Sequence, residues 1–173
     1  MYKRKLNVLS MFVLVLSVLI FSSCNKDDEL EGIDKELYDM ASSSSGYTWF
    51  ENSSAYLDKS SGSGHNYPFL RTRFNATAAS RLDSTGRIYA DTTFPEGSMI
   101  VKELYDGSKG LERYAILYKQ SNNSNADANG WVWGYINSDE TVAVSATEKG
   151  NACIGCHTQA GNIDYMLMNK FFP

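Results

Sequence analysis

The chain has 173 residues with 16 Lys and Arg against 20 Asp and Glu, a net charge of −4, and no basic block or stripe of the kind that marks a nucleic-acid partner. Eleven Tyr, eight Phe and three Trp beside only three Pro lean the composition toward β structure. A single domain with a sizeable core suits a chain of about 150 residues, which is what remains once the amino-terminal signal is set aside.

That signal spans residues 1–23. Lys3, Arg4 and Lys5 form a positive start, and Val8 through Phe21 is a nearly unbroken apolar run, too short for a comfortable membrane span. Ser22 and Ser23 lead into Cys24, a pattern that resembles the lipobox of bacterial lipoproteins, in which the cysteine is acylated and becomes the new amino terminus. An ordinary signal peptide with a spare thiol is the alternative. Residues 24–32 read as an acidic tether, and Asn25-Lys26-Asp27-Asp28-Glu29 is similar to a lipoprotein surface-export signal. The expectation is an exported protein, lipid-anchored to the outer membrane on its periplasmic or cell-surface face. Without Lys3, Arg4 and Lys5 the 16 cations become 13 against 20 carboxylates, a charge of −7.

From residue 33 the chain reads as one folded domain to residue 173. Ile33, Leu37, Met40 and Ala41 recur at helical spacing, so a short amphipathic helix is expected over 33–43, stopped by the Ser-rich run to Gly46. Tyr47 to Phe50 fits a strand or an aromatic anchor, and Lys59 to Gly64 is a loop by its chemistry. A strand follows over 69–74, with Arg71 and Arg73 on one face. Asn75 suits the N-cap of a helix from Ala76 to about Leu82. Turns at 83–86 and 94–97 lead to a second strand over 99–105, and a hairpin loop at 106–110 leads to a third over 114–119. Ser121 to Gly130 is a polar exposed loop. Trp131 to Ile136 alternates cleanly, with three aromatics on one face, and a turn at 137–140 gives a last strand over 141–146. Tyr165, Met168 and Phe172 suggest a closing helix over 164–172. The expected class is α+β, a mainly antiparallel sheet of about five strands with short flanking helices.

The most specific stretch lies at the carboxy-terminal end: Cys153-Ile154-Gly155-Cys156-His157. Two thiols three residues apart, followed directly by histidine, are the requirement for covalent haem attachment. Each sulfur adds across one vinyl group at the porphyrin edge, and the imidazole becomes the proximal iron ligand. A local disulfide or a thioredoxin-like pair are the alternatives, but the early βαβ context of a redox pair is missing. A zinc site lacks a fourth ligand, because His65 is the only other histidine. With Cys24 taken by lipid, Cys153 and Cys156 by one covalently attached haem c, no cysteine is left over. Strand-patterned sequence ahead of the motif disfavours the small all-helical electron carriers, whose motif lies near the front.

Taken in order, Arg71-Thr72-Arg73-Phe74-Asn75, Phe94 to Glu103, the Trp-rich strand at 131–135, the carboxy-terminal motif and Asp164-Tyr165 resemble the cytochrome P-460 family, which includes the β-sheet cytochromes c′. The resemblance covers about residues 65–172. It implies an antiparallel β fold with one c-type haem, His157 as sole protein ligand to five-coordinate iron, and an open distal face that binds, and in some members oxidises, hydroxylamine or nitric oxide. It also implies a lysine joined to the haem edge in the enzymatic members, matched here by Lys102. Strand parity puts Lys102 with Ile100 and Leu104, but Met99, Val101 and Tyr105 make the face of Glu103 equally apolar, so parity does not choose between them.

Arg71 and Arg73 are candidates for the haem propionates, or else a solvent-facing pair. His65 reads as a sixth iron ligand or a surface histidine, and Met166 and Met168 as core rather than ligands. The resemblance implies a distal carboxylate in the oxidising members and a phenylalanine cap in the gas-binding ones, for which Asp127 and Phe69 or Phe74 are the candidates here, without a choice between them. The function expected is a monohaem c-type cytochrome with hydroxylamine or nitric oxide as its ligand and a redox protein as its partner. The alternatives are a surface electron carrier and a non-catalytic nitric oxide binder. Pairing into a homodimer is left open.

Overall fold

Seven strands, every pair antiparallel, make one sheet in the computed structural model, which describes residues 30–173. The expected signal segment, Cys24 and most of the expected tether lie outside the described residues. The elements are α1 (Gly32–Ser42), β1 (Thr48–Trp49), β2 (Leu57–Asp58), β3 (Phe69–Phe74), α2 (Ala76–Ala79), β4 (Met99–Tyr105), β5 (Leu111–Lys119), β6 (Trp131–Asn137), β7 (Val142–Val144), α3 (Ile154–His157) and α4 (Met168–Phe171). Single 3₁₀ turns occupy Phe50–Asn52 and Ala146–Glu148. Strand order is β1-β3-β4-β5-β6-β7, with β2 paired to the other end of β3. No described helix is long and apolar enough to cross a membrane.

The class is α+β with a mainly antiparallel sheet, as expected. The five expected strands are β3 to β7. Of the two further ones, β1 falls within Tyr47 to Phe50, where a strand is one of the two readings, and β2 holds two residues, too few to carry a period-2 pattern. Asn75 caps α2 as its residue type suggested. Its side-chain oxygen accepts from Ala78 N at 2.9 Å and Met99 N at 3.0 Å, which ties the helix to the start of β4.

The sheet has two working faces, and each covers a different partner. Met99, Val101, Tyr114, Ile116, Val132 and Ile136 face α1, which buries Leu37 and Ala41 against them. Leu30 joins this cluster at 4% exposure, so the end of the expected tether is part of the packed domain. Asp34 anchors the first turn of α1, accepting from Ser145 Oγ at 2.6 Å and Ala146 N at 2.8 Å. The opposite face presents Leu70, Phe74, Ile100, Leu104, Leu117, Trp131 and Trp133 to the carboxy-terminal segment, including Tyr165, Met166 and Met168.

Register settles what parity left open. Thr72 pairs with Lys102, Lys102 with Ala115, and Ala115 with Tyr135, so these four form one row across the face that meets the carboxy-terminal segment. Arg71 pairs with Glu103 on the α1 face.

The expectation that Arg71 and Arg73 hold haem propionates is therefore corrected: both point away from the face that carries the haem motif. Arg73 Nε donates to Glu103 at 2.9 Å and Arg71 NH2 at 2.7 Å, with Tyr105 Oη bonded to both Arg71 and Glu103. Arg73 also donates to the carbonyls of Ala41 and, at 2.6 Å, Ser43, which satisfies the end of α1. Its guanidinium lies 4.5 Å over the Tyr47 ring, and that of Arg71 lies 4.7 Å over Trp49. A cation at 1% side-chain exposure is tolerable only with such partners.

The expected closing helix over 164–172 is only α4, Met168–Phe171. Asp164 and Tyr165 adopt left-handed conformations, φ +46° and +70°, and an antiparallel bridge joins Ile163 to Met166. Helical spacing in the sequence cannot register such a turn.

Candidate haem site

The Cys-x-x-Cys-His peptide lies on the Lys102 face of the sheet, where Cys153, just ahead of α3, and Cys156 and His157 within it line one cavity of about 320 Å³. The peptide arrives through Gly150, at φ +71°. A Cβ there would stand 2.6 Å from Trp133 Cδ1, so only glycine allows the backbone this close to the indole. Cys153 is half-buried and Cys156 exposed, and both are free thiols. Burial pushes the Cys153 thiol up.

His157 is held from two sides. Its Nδ1–H donates to the Tyr165 carbonyl at 2.7 Å, and its ring meets the edge of Trp133 at a centroid distance of 5.2 Å. The left-handed turn at Asp164 and Tyr165 aims that carbonyl at the imidazole. Trp133 packs on Tyr165 at 5.1 Å and donates its indole N–H to Asp127 at 2.9 Å. With Nδ1 committed as a donor, the lone pair of His157 resides on Nε2, the tautomer a metal ligand needs. Burial, with some help from the Lys102 charge, pushes its pKa down to about 4, so the ring is neutral at physiological pH.

Across the cavity stand Lys102 and His65. Lys102 Nζ has no hydrogen bond or ion pair among the described residues, and burial pushes its pKa down to about 8. His65 sits in the Gly-rich loop that closes the cavity, its Nδ1 bonded to Tyr135 Oη at 3.1 Å. Burial, then the charges of Lys102 and His157, push its pKa down to about 3.

The other candidates lie elsewhere. Asp127 is taken up by the loop before β6: besides Trp133 it accepts from Trp131 N at 2.9 Å and Asn129 N at 2.8 Å. It does not line the cavity. Phe74 stacks on Phe94 inside the core, and Phe69 lies on the Arg71 face against Tyr56. Met166 and Met168 are core, with 3% and 1% exposure, as their spacing suggested. Sequence reasoning missed Tyr135, Tyr165 and Trp133 as supports of the two histidines, since only strand register and a backbone turn bring them there. Asp164 was missed as an anchor. It accepts from Trp131 Nε1 at 3.0 Å and Phe94 N at 2.9 Å, locking the carboxy-terminal segment to the sheet.

The fold and the cavity together define a β-sheet protein with a cysteine-histidine cofactor site on one face. The family model of cytochrome P460 matches residues 49–168, more than half of the chain. The chain belongs to the cytochrome P460 family, and that membership implies a haem cofactor. No curated protein and no solved structure matches the chain. The residues fit the cofactor: two free thiols and a neutral imidazole with its Nε2 uncommitted share one cavity.

Proposed function

We propose that the protein is a monohaem c-type cytochrome that binds a small nitrogenous ligand, hydroxylamine or nitric oxide, at its iron. Cys153 and Cys156 hold the porphyrin through two thioethers, each formed by adding S–H across a vinyl group with no atom lost. His157 ligates the iron through Nε2, and Lys102 presents its amine to the porphyrin or to a ligand beside it. When bound, the haem supplies one-electron iron chemistry, and the chain supplies the dry, shaped cavity around it.

The observation that carries this reading is the His157–Tyr165 hydrogen bond, which presents Nε2 as a lone pair in the cavity that both thiols share. The amino-terminal sequence supports export and anchoring through Cys24, the compartment in which thiols receive haem. A redox protein at the surface takes or delivers the electron. A second reading, an electron carrier with no small-molecule ligand, is favoured by one observation: an imidazole, that of His65, already lines the cavity.

The test is titration of the exported, haem-loaded protein with nitric oxide and, separately, with hydroxylamine. The first reading expects saturable spectral change with at least one of them, and turnover of hydroxylamine if the protein is an enzyme. No change with either leaves the electron carrier.

A further inference from the structure

His65 and His157 are the only histidines in the chain, they come from segments far apart in sequence, and they line the same cavity. Their ring centroids are 6.5 Å apart with planes at 78°. Two imidazoles bonded to one metal from opposite sides, each through a metal–nitrogen bond of about 2 Å, place their centroids roughly that far apart. The rings stand edge to face at that separation, at the long end of the range for an aromatic pair.

Both rings also have an oxygen on Nδ1. His157 donates from Nδ1 to the Tyr165 carbonyl, and His65 Nδ1 pairs at 3.1 Å with the Tyr135 hydroxyl, an oxygen able to accept from it. In each case Nε2 is left without a hydrogen bond among the described residues. An outer-sphere oxygen on Nδ1 that frees Nε2 is the arrangement found behind metal-bound histidines. The loop that carries His65 packs on the carboxy-terminal segment: a Cβ at Gly62 would stand 2.6 Å from Phe171 Cε1, and Ser63 N donates to Ser60 O at 3.0 Å.

We infer that His65 is the second axial ligand of the iron in the resting protein, opposite His157, with Tyr135 as the residue that orients it. This rests on the haem reading above and deepens it. A small ligand reaches the iron only when His65 leaves, so the His65 loop sets the rate of ligand entry. The apparent affinity for any such ligand is lowered by the fraction of time the loop keeps His65 in place.

The experiment uses the exported, haem-loaded protein and two variants, His65→Ala and His65→Gln, the second keeping a polar partner for Tyr135. Absorption and electron paramagnetic resonance spectra report spin state, and rapid mixing of the reduced proteins with carbon monoxide reports access. The wild type is expected to be six-coordinate and low-spin in both redox states. Both variants become high-spin, return to low-spin on adding imidazole, and bind carbon monoxide on the order of tenfold faster or more. A high-spin wild type overturns the inference, as do variants with unchanged spin state and unchanged carbon monoxide rate. Coloured protein with the wrong spin state leaves the haem reading standing and removes only the ligand role of His65, whereas colourless protein removes both. If one variant fails to accumulate, the other and the wild-type spectrum decide.

Discussion

Lys102 and Glu103 are consecutive in β4, yet Glu103 accepts from two arginines against α1 while Lys102 faces the cavity of His157 and the two cysteines. One peptide bond thus separates the charge network of the scaffold from the chemistry of the site. Each half can be tested without disturbing the other.

On the scaffold side, Arg73→Ala removes the guanidinium from Glu103 and from the carbonyls that end α1. Leaving a buried carboxylate short of a partner lowers stability by about 3–5 kcal/mol. Denaturant unfolding should show an earlier midpoint, with haem content and absorption spectrum unchanged. A spectrum that shifts would mean the arginines reach the haem after all.

On the site side, Lys102→Met removes a partly buried amine whose pKa is pushed down to about 8 by desolvation. Between about pH 8 and the ordinary lysine value near 10.4, the unfolded chain binds more protons than the folded one, so stability rises with pH across that window. Below it the ammonium is charged in both states, and its desolvation in the folded protein lowers stability. Lys102→Met should therefore unfold at a higher temperature than wild type at pH 7, and the difference should shrink toward pH 10. A wild-type curve flat across this window, together with a tryptic peptide joining Lys102 to the haem, would establish instead that the amine is bonded to the porphyrin.

The support of His157 gives a graded pair of variants. Trp133→Ala opens a void beneath the imidazole and lowers stability by about 3–5 kcal/mol. Trp133→Phe keeps a ring there and gives up the indole bond to the Asp127 carboxylate with the second half of the ring system, about 1.5–3 kcal/mol. Midpoints of thermal unfolding should fall in that order, and only the alanine variant should broaden the haem spectrum.

Gly150→Ala asks a left-handed residue to place a methyl group against Trp133 Cδ1. Strain of about 1–3 kcal/mol is expected, and the fraction of chain that receives haem during export should fall with it. Full haem loading and wild-type stability would show that the approach of the peptide to the indole is looser than the structure has it.

The sequence carried the long strands because alternation at 131–136 and clear turn chemistry at Pro95-Glu96-Gly97 leave little choice. It carried Asn75 as a cap for the same reason: a side-chain acceptor before a helix has one obvious use. Faces were another matter. Arg71, Arg73, Lys102 and Glu103 all sit on strands with apolar residues at both parities, and only the pairing of β3 with β4 and the position of α1 decide which side is which. Asp164 and Tyr165 were hidden because a left-handed turn in non-glycine residues leaves no mark in spacing. The placement of His65 depends on Tyr135, 70 residues away, which no local pattern encodes.

The central claim is that Cys153 and Cys156 carry one haem, with His157 beneath it. Denaturing mass analysis of the protein exported from a host that matures c-type cytochromes tests it most directly. The account predicts a single species of the processed chain plus one haem, with neither Cys153 nor Cys156 open to alkylation. A species at the mass of the bare chain, alkylated at both residues, would contradict it.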